Sequence, residues 1–159
     1  MRKVGISIVA GLMCCFALSV EAVPYYASIR KNEANLRTGP GDRFPIAWVY
    51  QEKGYPVEVI DQFDIWRQIR EVDGTIGWMH RTLLGCQRMA FIKEEGILLS
   101  EPENGHKIAI VQQGTIGQIE RCPKKGKLCL LSFQYENRTV EGWFPRDMIW
   151  GIYPDEEID

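Results

Sequence analysis

Two short motifs occur twice in this chain, once in each half, and they limit the folds that the chain can adopt. Gly77-Trp78-Met79-His80-Arg81 is followed 65 residues later by Gly142-Trp143-Phe144-Pro145-Arg146. Residues 34–40 resemble residues 96–102 in the same way. A period of about 60 residues is too long for one unit of a solenoid and suits a very small domain. The duplication therefore predicts two small domains in tandem, divided near residues 85–88.

Apolar residues occur in short bursts bounded by Gly, Pro, Asn and Asp, which is typical of many short strands. The strand candidates are residues 57–61, 65–70, 75–79, 107–111, 116–121 and 127–133. Asp73-Gly74 predicts a hairpin turn because both residues tolerate positive φ, and Glu136-Asn137 is its counterpart in the second half. Imperfect alternation around Trp66 and Ile69 predicts a β-bulge there. We therefore expect an all-β fold.

The beginning of the chain has a different composition from the remainder. Arg2-Lys3 precedes an uncharged, mostly apolar run over residues 4–20, and Val20-Glu21-Ala22 offers the residues that a signal peptidase reads. This three-part pattern predicts a secretory signal peptide at residues 1–22 and an exported protein, periplasmic or secreted. A retained anchor is the alternative, but the run is at the lower limit for crossing a bilayer, so no stable membrane span is expected. Neither cysteine in the run follows the small residue that lipidation needs.

The net charge of the chain bears on which partners to expect. The formal net charge of −2 gives no cluster of basic residues for binding phosphates, so nucleic acid is not expected as a partner.

We divide the chain into the signal peptide (1–22), a first domain (23–86), a second domain (87–153) and an acidic tail (154–159). The tail is expected to be frayed and solvated.

Three cysteines follow the predicted signal peptide, where an oxidising compartment favours disulfides. Cys122 and Cys129 flank a short hairpin, and neighbouring antiparallel strands bring Cα atoms within disulfide range. The spacing predicts a disulfide rather than a metal site, since nothing nearby completes four metal ligands. Cys86 is left over, and three alternatives stay open: buried and inert, bonded to another chain in a dimer, or bonded to Cys122 or Cys129.

A catalytic interpretation is possible only for a cysteine hydrolase. Cys86 follows His80 by six residues, which suggests a Cys-His pair. No nucleophile elbow, metal motif or phosphate-binding loop accompanies these residues. We therefore expect a chain that is not an enzyme and needs no cofactor or metal, with His80 ending a strand at the surface.

Aromatic residues crowd the first half and are the candidates for ligand contact, because Tyr and Trp combine apolar area with a polar tip. We expect Trp78 and part of Trp48 to be buried in the core. The alternative use of these rings is core packing or contact between domains, for which Leu83, Leu84, Met89 and Phe91 are placed at the junction. The candidate ligand-binding residues are Tyr26, Phe44, Tyr50, Tyr55, Phe63 and Trp66.

The repeated motifs resemble those of the bacterial SH3 domain family. Residues 35–41 (Asn-Leu-Arg-Thr-Gly-Pro-Gly) are similar to the opening of that family, and residues 66–70 with 77–81 are similar to its closing strands. In the second half, residues 98–102 lack the Asn and Arg of the opening, whereas residues 142–146 preserve the closing motif better. The resemblance implies two tandem SH3-like small β-barrels, each ending in a short 3₁₀ turn.

The resemblance also implies a function. It points to a non-catalytic exported module that binds cell-wall peptide or glycan of the peptidoglycan, or an envelope protein. A secreted, host-facing effector or adaptor is the alternative. The acidic and aromatic motif with which eukaryotic SH3 domains bind proline-rich helices is not recognisable, so that ligand is not carried over.

Overall fold

The computed structural model describes residues 22–159, and they form two antiparallel sheets of seven strands each. The predicted signal peptide lies outside the described residues, apart from Ala22. The first sheet contains β1 (Tyr25–Ile29), β2 (Ala34–Arg37), β3 (Ile46–Tyr50), β4 (Pro56–Phe63), β5 (Trp66–Arg70), β6 (Ile76–His80) and β7 (Leu84–Gly85). The second contains β8 (Met89–Ile92), β9 (Gly96–Leu99), β10 (Lys107–Val111), β11 (Ile116–Arg121), β12 (Leu128–Tyr135), β13 (Arg138–Pro145) and β14 (Ile149–Trp150). Two 3₁₀ turns, Arg81–Leu83 and Arg146–Met148, precede β7 and β14.

The two sheets have the same strand order. The first runs β3-β2-β6-β5-β4-β1-β7 and the second β10-β9-β13-β12-β11-β8-β14. The all-β prediction is confirmed. The expectation of closed barrels is wrong, because the end strands β3 and β7 do not pair with each other among the described residues, nor do β10 and β14. Two-residue strands such as β7 and β14 offer too few backbone groups to extend the ladder further.

Both sheets carry a register shift at the same strand pair. In β4 the shift falls between Val59 and Asp61, which leaves Ile60 as an extra residue opposite β5. In β11 it falls between Ile119 and Arg121, opposite β12. The sequence predicted a bulge near Trp66 and Ile69 of β5, whereas the extra residue belongs to the partner strand. Such a bulge strengthens the local twist of a sheet.

Each sheet packs its own apolar core. Leu36, Ile69 and Met79 are almost fully buried in the first, as are Leu98 and Phe144 in the second. The repeated glycines explain the close packing. A Cβ on Gly77 would lie 2.5 Å from Cγ of Leu36, and a Cβ on Gly142 would lie 2.7 Å from Cγ of Leu98. Only glycine leaves room for these leucines.

The cysteines follow the prediction in part. Cys122 and Cys129 form the predicted disulfide, with their Cα atoms 4.3 Å apart and both residues fully buried. Cys86 is a free, exposed thiol. The alternatives in which it is buried, or bonded to Cys122 or Cys129, are therefore wrong.

The two sheets contact each other through aromatic rings. The ring of Tyr26 in β1 lies 5.2 Å from that of Trp150 and 4.7 Å from that of Tyr153, between centroids. Tyr55 and Phe91 form a second pair at 6.0 Å. Of the four junction residues, Phe91 makes this contact, and Met89 reaches Gly54. Leu83 and Leu84 instead pack against the first core.

A buried carboxylate links the two sheets. Glu58 of β4 is 3% exposed and accepts hydrogen bonds from Nε and Nη2 of Arg70, at 2.9 and 2.6 Å. The hydroxyl of Tyr153 donates to its other oxygen at 2.9 Å. Burial and this carboxylate raise the pKa of Tyr153 above its ordinary value. Both partners are needed because a buried charge is costly without compensating hydrogen bonds.

The C-terminal segment is docked, which corrects the expectation of a frayed tail. The amide of Ile158 donates to the carbonyl of Cys122 at 3.0 Å, and the amide of Cys122 donates to that of Ile158 at 2.7 Å. Glu156 forms an ion pair with Arg88, and its carbonyl accepts a hydrogen bond from Arg146. Desolvation opposes ionisation of Glu156, but Arg88 and the Tyr153 amide outweigh it, so its pKa is lowered. The acidic residue finds basic partners that sequence alone did not place beside it.

Candidate functional site

Strand register assigns the side chains of the first sheet to two faces. Arg67 pairs with Met79 and Ile69 with Gly77, and the fully buried Ile69 and Met79 mark the inner face. Successive residues of a strand point to opposite faces. Trp66, Gln68, Trp78 and His80 therefore point outward, in the pairs Trp66–His80 and Gln68–Trp78.

A row of aromatic residues crosses the outer face next to the β4–β5 turn. Phe63 pairs with Trp66, which pairs with His80. The rings of Trp66 and His80 meet edge to face, with centroids 5.4 Å apart and planes at 88°. Phe63 is 61% exposed, whereas Trp66, which pairs with both Phe63 and His80, is 6% exposed. We call the surface formed by Phe63, Trp66, Gln68, Trp78 and His80 the hairpin face.

Hydrogen bonds hold the turn beside this surface. Asp64 has φ of 50° in the two-residue connection between Phe63 and Trp66, a conformation that Asp tolerates. Nη1 of Arg67 donates to the carbonyls of Asp64 and Trp66, both at 3.0 Å. Arg67 therefore stabilises the turn that follows Phe63.

A long loop borders the hairpin face on its other side. Arg37 pairs with Trp78, and Nη1 of Arg37 donates to the carbonyls of Asp42 and Phe44, at 3.1 and 2.8 Å. The ring of Phe44 packs so closely on Gly39 that a Cβ there would overlap it. This explains the glycine of the opening motif and fixes the loop next to Trp78.

The six predicted ligand-binding residues do not converge on one surface. Tyr26 is buried between the sheets and Tyr50 in the first core. Tyr55 is half-buried against Phe91, and Phe44 is half-buried on Gly39. Phe63 and Trp66 lie together on the hairpin face, where Phe63 alone is well exposed.

Two tryptophans also differ from the expectation of core packing. Trp48 is 61% exposed, because it lies on β3 at the edge of the sheet, beyond which no other strand of residues 22–159 is paired. Trp78 is half-buried on the outer face, since Gly77 and Met79 take the inward positions of β6. The alternation in Gly-Trp-Met-His was the signal that would have placed Trp78 and His80 together outside.

Burial raises the pKa values of the tyrosines that lie near the contact between the two sheets. It raises the pKa of Tyr26 to about 12, with Glu58 adding to the effect. Burial raises the pKa of Tyr55 to about 12 as well, and Glu71 adds to it. Burial also raises the pKa of Glu71. These groups lie at the contact between sheets or beside it, away from the hairpin face.

The hairpin face combines apolar and polar side chains. Phe63 and Trp78 supply apolar area, while Gln68 and His80 supply polar groups at half-buried positions. Over residues 22–159, no cluster of three or more His, Cys, Asp or Glu side chains is arranged to hold a metal ion. The same stretch contains no helix of the length and hydropathy needed to cross a membrane.

Comparison with known proteins gives a family match for the first sheet. No curated protein matches this chain. Two solved structures, NlpC1 and NlpC2 from Trichomonas vaginalis, are 14% and 12% identical, each with a TM-score of 0.36. The matches cover 91% and 80% of this chain but 51% and 48% of those chains, so this chain spans about half their length. Scores this low establish neither a shared fold nor a shared activity. Residues 30–85, which include β2 to β7, match the bacterial SH3 domain family, and this part of the chain is therefore SH3-like.

Proposed function

We propose that this protein is an exported, non-catalytic binding module that holds a cell-wall peptide or glycan on the hairpin face of its first sheet. The observation that carries the proposal is the exposure of Phe63, an aromatic side chain at 61% on a turn fixed by Arg67. A large exposed apolar side chain on a rigid turn next to further aromatic rings is typical of a binding surface. The family match at residues 30–85 supports a cell-wall ligand.

The arrangement of the two sheets also supports this choice of surface. Tyr26 and Glu58 lie on the same outer face as Trp66 and Gln68, since Glu58 pairs with both Tyr26 and Arg70. The second sheet covers Tyr26 and Glu58 through Trp150 and Tyr153. Phe63 of the hairpin face, together with Arg70 and Ile76, remains accessible on that outer face.

The test is co-sedimentation of the purified protein with peptidoglycan sacculi. We expect the wild type to sediment and Phe63→Ala to bind at least about tenfold more weakly, because burying a phenylalanine contributes about 1.5–3 kcal/mol. Tyr135→Ala is the matched control, since Tyr135 is 67% exposed on β12 of the other sheet. The proposal fails if the wild type stays in the supernatant or if both variants sediment like it.

Localisation separates this proposal from the alternative of a host-facing effector. A cell-wall module should fractionate with the periplasm or the envelope of the producing cell. Recovery of most of the protein from the culture medium, without sacculus binding, would favour the effector. The fractionation uses the full chain, including residues 1–22.

A further inference from the structure

The ring of His80 is held in place by contacts at the end of β6. It precedes the 3₁₀ turn Arg81–Leu83, and its Nδ1 accepts a hydrogen bond from the amide of Thr82 at 3.3 Å. Oγ1 of Thr82 lies 2.7 Å from the same nitrogen. A backbone amide can only donate, so the bond from Thr82 favours the neutral ring with its proton on Nε2, whereas the hydroxyl of Thr82 can donate to Nδ1 or accept from it.

The second ring nitrogen of His80 has no protein partner among the described residues. Nε2 makes no hydrogen bond to any residue between 22 and 159. The edge-to-face contact with Trp66 and the bond from Thr82 fix the plane of the ring. Nε2 of His80 is therefore an unpartnered nitrogen of a ring that Trp66 and Thr82 hold on the hairpin face.

Gln68 supplies a second unpartnered polar group on the same surface. It lies on β5 between Trp66 and Arg70, paired across the strands with Trp78. Its side-chain amide makes no hydrogen bond within the described part of the chain, although the residue is half-buried. A side-chain amide carries both a donor and an acceptor. A ligand that forms a hydrogen bond with either group lowers the free energy of binding.

These two groups specify the chemistry of a ligand. Building on the proposed function, we propose that His80 and Gln68 form an amide-recognition subsite, in which Nε2–H of His80 donates to the carbonyl of a ligand amide. Gln68 pairs with the N–H of that amide or of its neighbour. Phe63 and Trp78 contact the adjacent apolar or sugar-ring face. Both acetylated sugars and peptides of the cell wall carry such an amide.

A neutral amide suits this surface better than a carboxylate does. Asp61 pairs with Gln68 across β4 and β5, and Asp64 forms the turn. Both carboxylates lie without an ion pair among the described residues. They disfavour a second negative charge at the subsite.

The first test needs no ligand. Long-range ¹H–¹⁵N correlation spectra of the imidazoles should show His80 as the Nε2–H tautomer in the neutral form. A neutral Nδ1–H tautomer would overturn the inference directly.

The second test measures binding of two amide probes by tryptophan fluorescence. The probes are the trimer of N-acetylglucosamine and N-acetyl-trialanine amide, and the matched non-amide sugar is cellotriose, which has the same linkage and is neutral. We expect saturable binding of an amide probe, weakened about five- to tenfold by His80→Phe, which keeps a ring but lacks the donor. His80→Gln, which retains a donor, should bind within about threefold of the wild type. The probe that binds identifies the source of the amide.

The control is His106→Phe, which changes the chain's other histidine, placed in the second sheet beside Ser100. The selectivity for the acetylated over the non-acetylated trimer should vanish in His80→Phe and persist in His106→Phe. Unchanged selectivity in a folded His80→Phe overturns the amide subsite, as does failure of the wild type to bind either amide probe. The proposed function fails separately, through Phe63→Ala and sacculus sedimentation.

Discussion

Replacing Gly77 by alanine tests whether the Gly-Trp motif exists to let Leu36 pack on β6. The new Cβ would lie 2.5, 2.8 and 2.9 Å from Cγ, Cδ1 and Cδ2 of Leu36. Carbon atoms prefer about 3.5–4.0 Å, so Leu36 must move by roughly 1 Å. Leu36 is 1% exposed, and such overpacking costs about 1–3 kcal/mol. Since alanine also restricts the unfolded chain and regains about 0.4–1 kcal/mol, the net loss lies between about 0 and 2.6 kcal/mol, with a midpoint of about 1.3 kcal/mol.

The assay is equilibrium urea unfolding followed by tryptophan fluorescence and circular dichroism. Gly85→Ala is the matched control, because Gly85 also lies in a strand of the first sheet and its Cβ would meet Cβ of Arg30 at 3.4 Å and the carbonyl oxygen of Ser28 at 3.8 Å. Both distances are within ordinary van der Waals range, so neither neighbour has to move. We expect a change within about 0.5 kcal/mol for the control.

A double-mutant cycle sharpens the test. Leu36→Ala alone should cost about 2–5 kcal/mol through the cavity it leaves. In the double variant the new methyl group occupies part of that cavity. The loss of unfolding free energy in the double variant should therefore be smaller than the sum of the two single losses, by about 1 kcal/mol or more. Strict additivity, or equal stability of Gly77→Ala and Gly85→Ala, would refute the packing explanation.

Three further changes have defined outcomes. Removing the disulfide as Cys122→Ala with Cys129→Ala opens a loop with a sequence separation of 7, which should cost about 2.4 kcal/mol of unfolding free energy in denaturant titrations; a loss below about 1 kcal/mol would contradict the loop-entropy account. Ultraviolet absorbance titration should show Tyr26 and Tyr55 ionising near pH 12 in the folded protein. Because their folded pKa lies above the unfolded value of about 10, their contribution to stability is present below pH 10 and is lost as the pH rises towards 12; a folded protein whose tyrosines all titrate near pH 10 would contradict this. Mild oxidation should convert the wild type into a covalent dimer on non-reducing gels through the exposed Cys86, whereas Cys86→Ser should remain monomeric, and a wild type that stays monomeric would exclude this pairing.

Patterns within short segments were informative about the fold. The strand candidates, the Asp73-Gly74 turn and the disulfide depend on neighbours in sequence, and each is present. Barrel closure depends on whether distant edge strands meet, and no local pattern reports that. The open edge at β3 is also why Trp48 is exposed although its residue type suggested burial.

The candidate site was predicted only in part for the same reason. Phe63 and Trp66 are three residues apart and were both chosen, but Trp78 and His80 join them only through strand pairing. Tyr26 and Tyr55 were chosen for their chemistry, yet the second sheet uses both as packing surface. Which aromatic residues remain accessible is decided by how the sheets pack, and a single sequence does not contain that information in readable form.

The extra residue Ile60 determines which side chains at the end of β4 point outward. With Ile60 left unpaired, Asp61 meets Gln68 and Phe63 meets Trp66. A slip that absorbed Ile60 into the ladder would turn Phe63 towards the interior and place Gln62 outside. Mispairing of β4 with β5 during folding would therefore produce a compact chain without its aromatic turn. Deleting Ile60 is predicted to remove the bulge while Asp61 stays opposite Gln68, so that the local twist of the hairpin decreases.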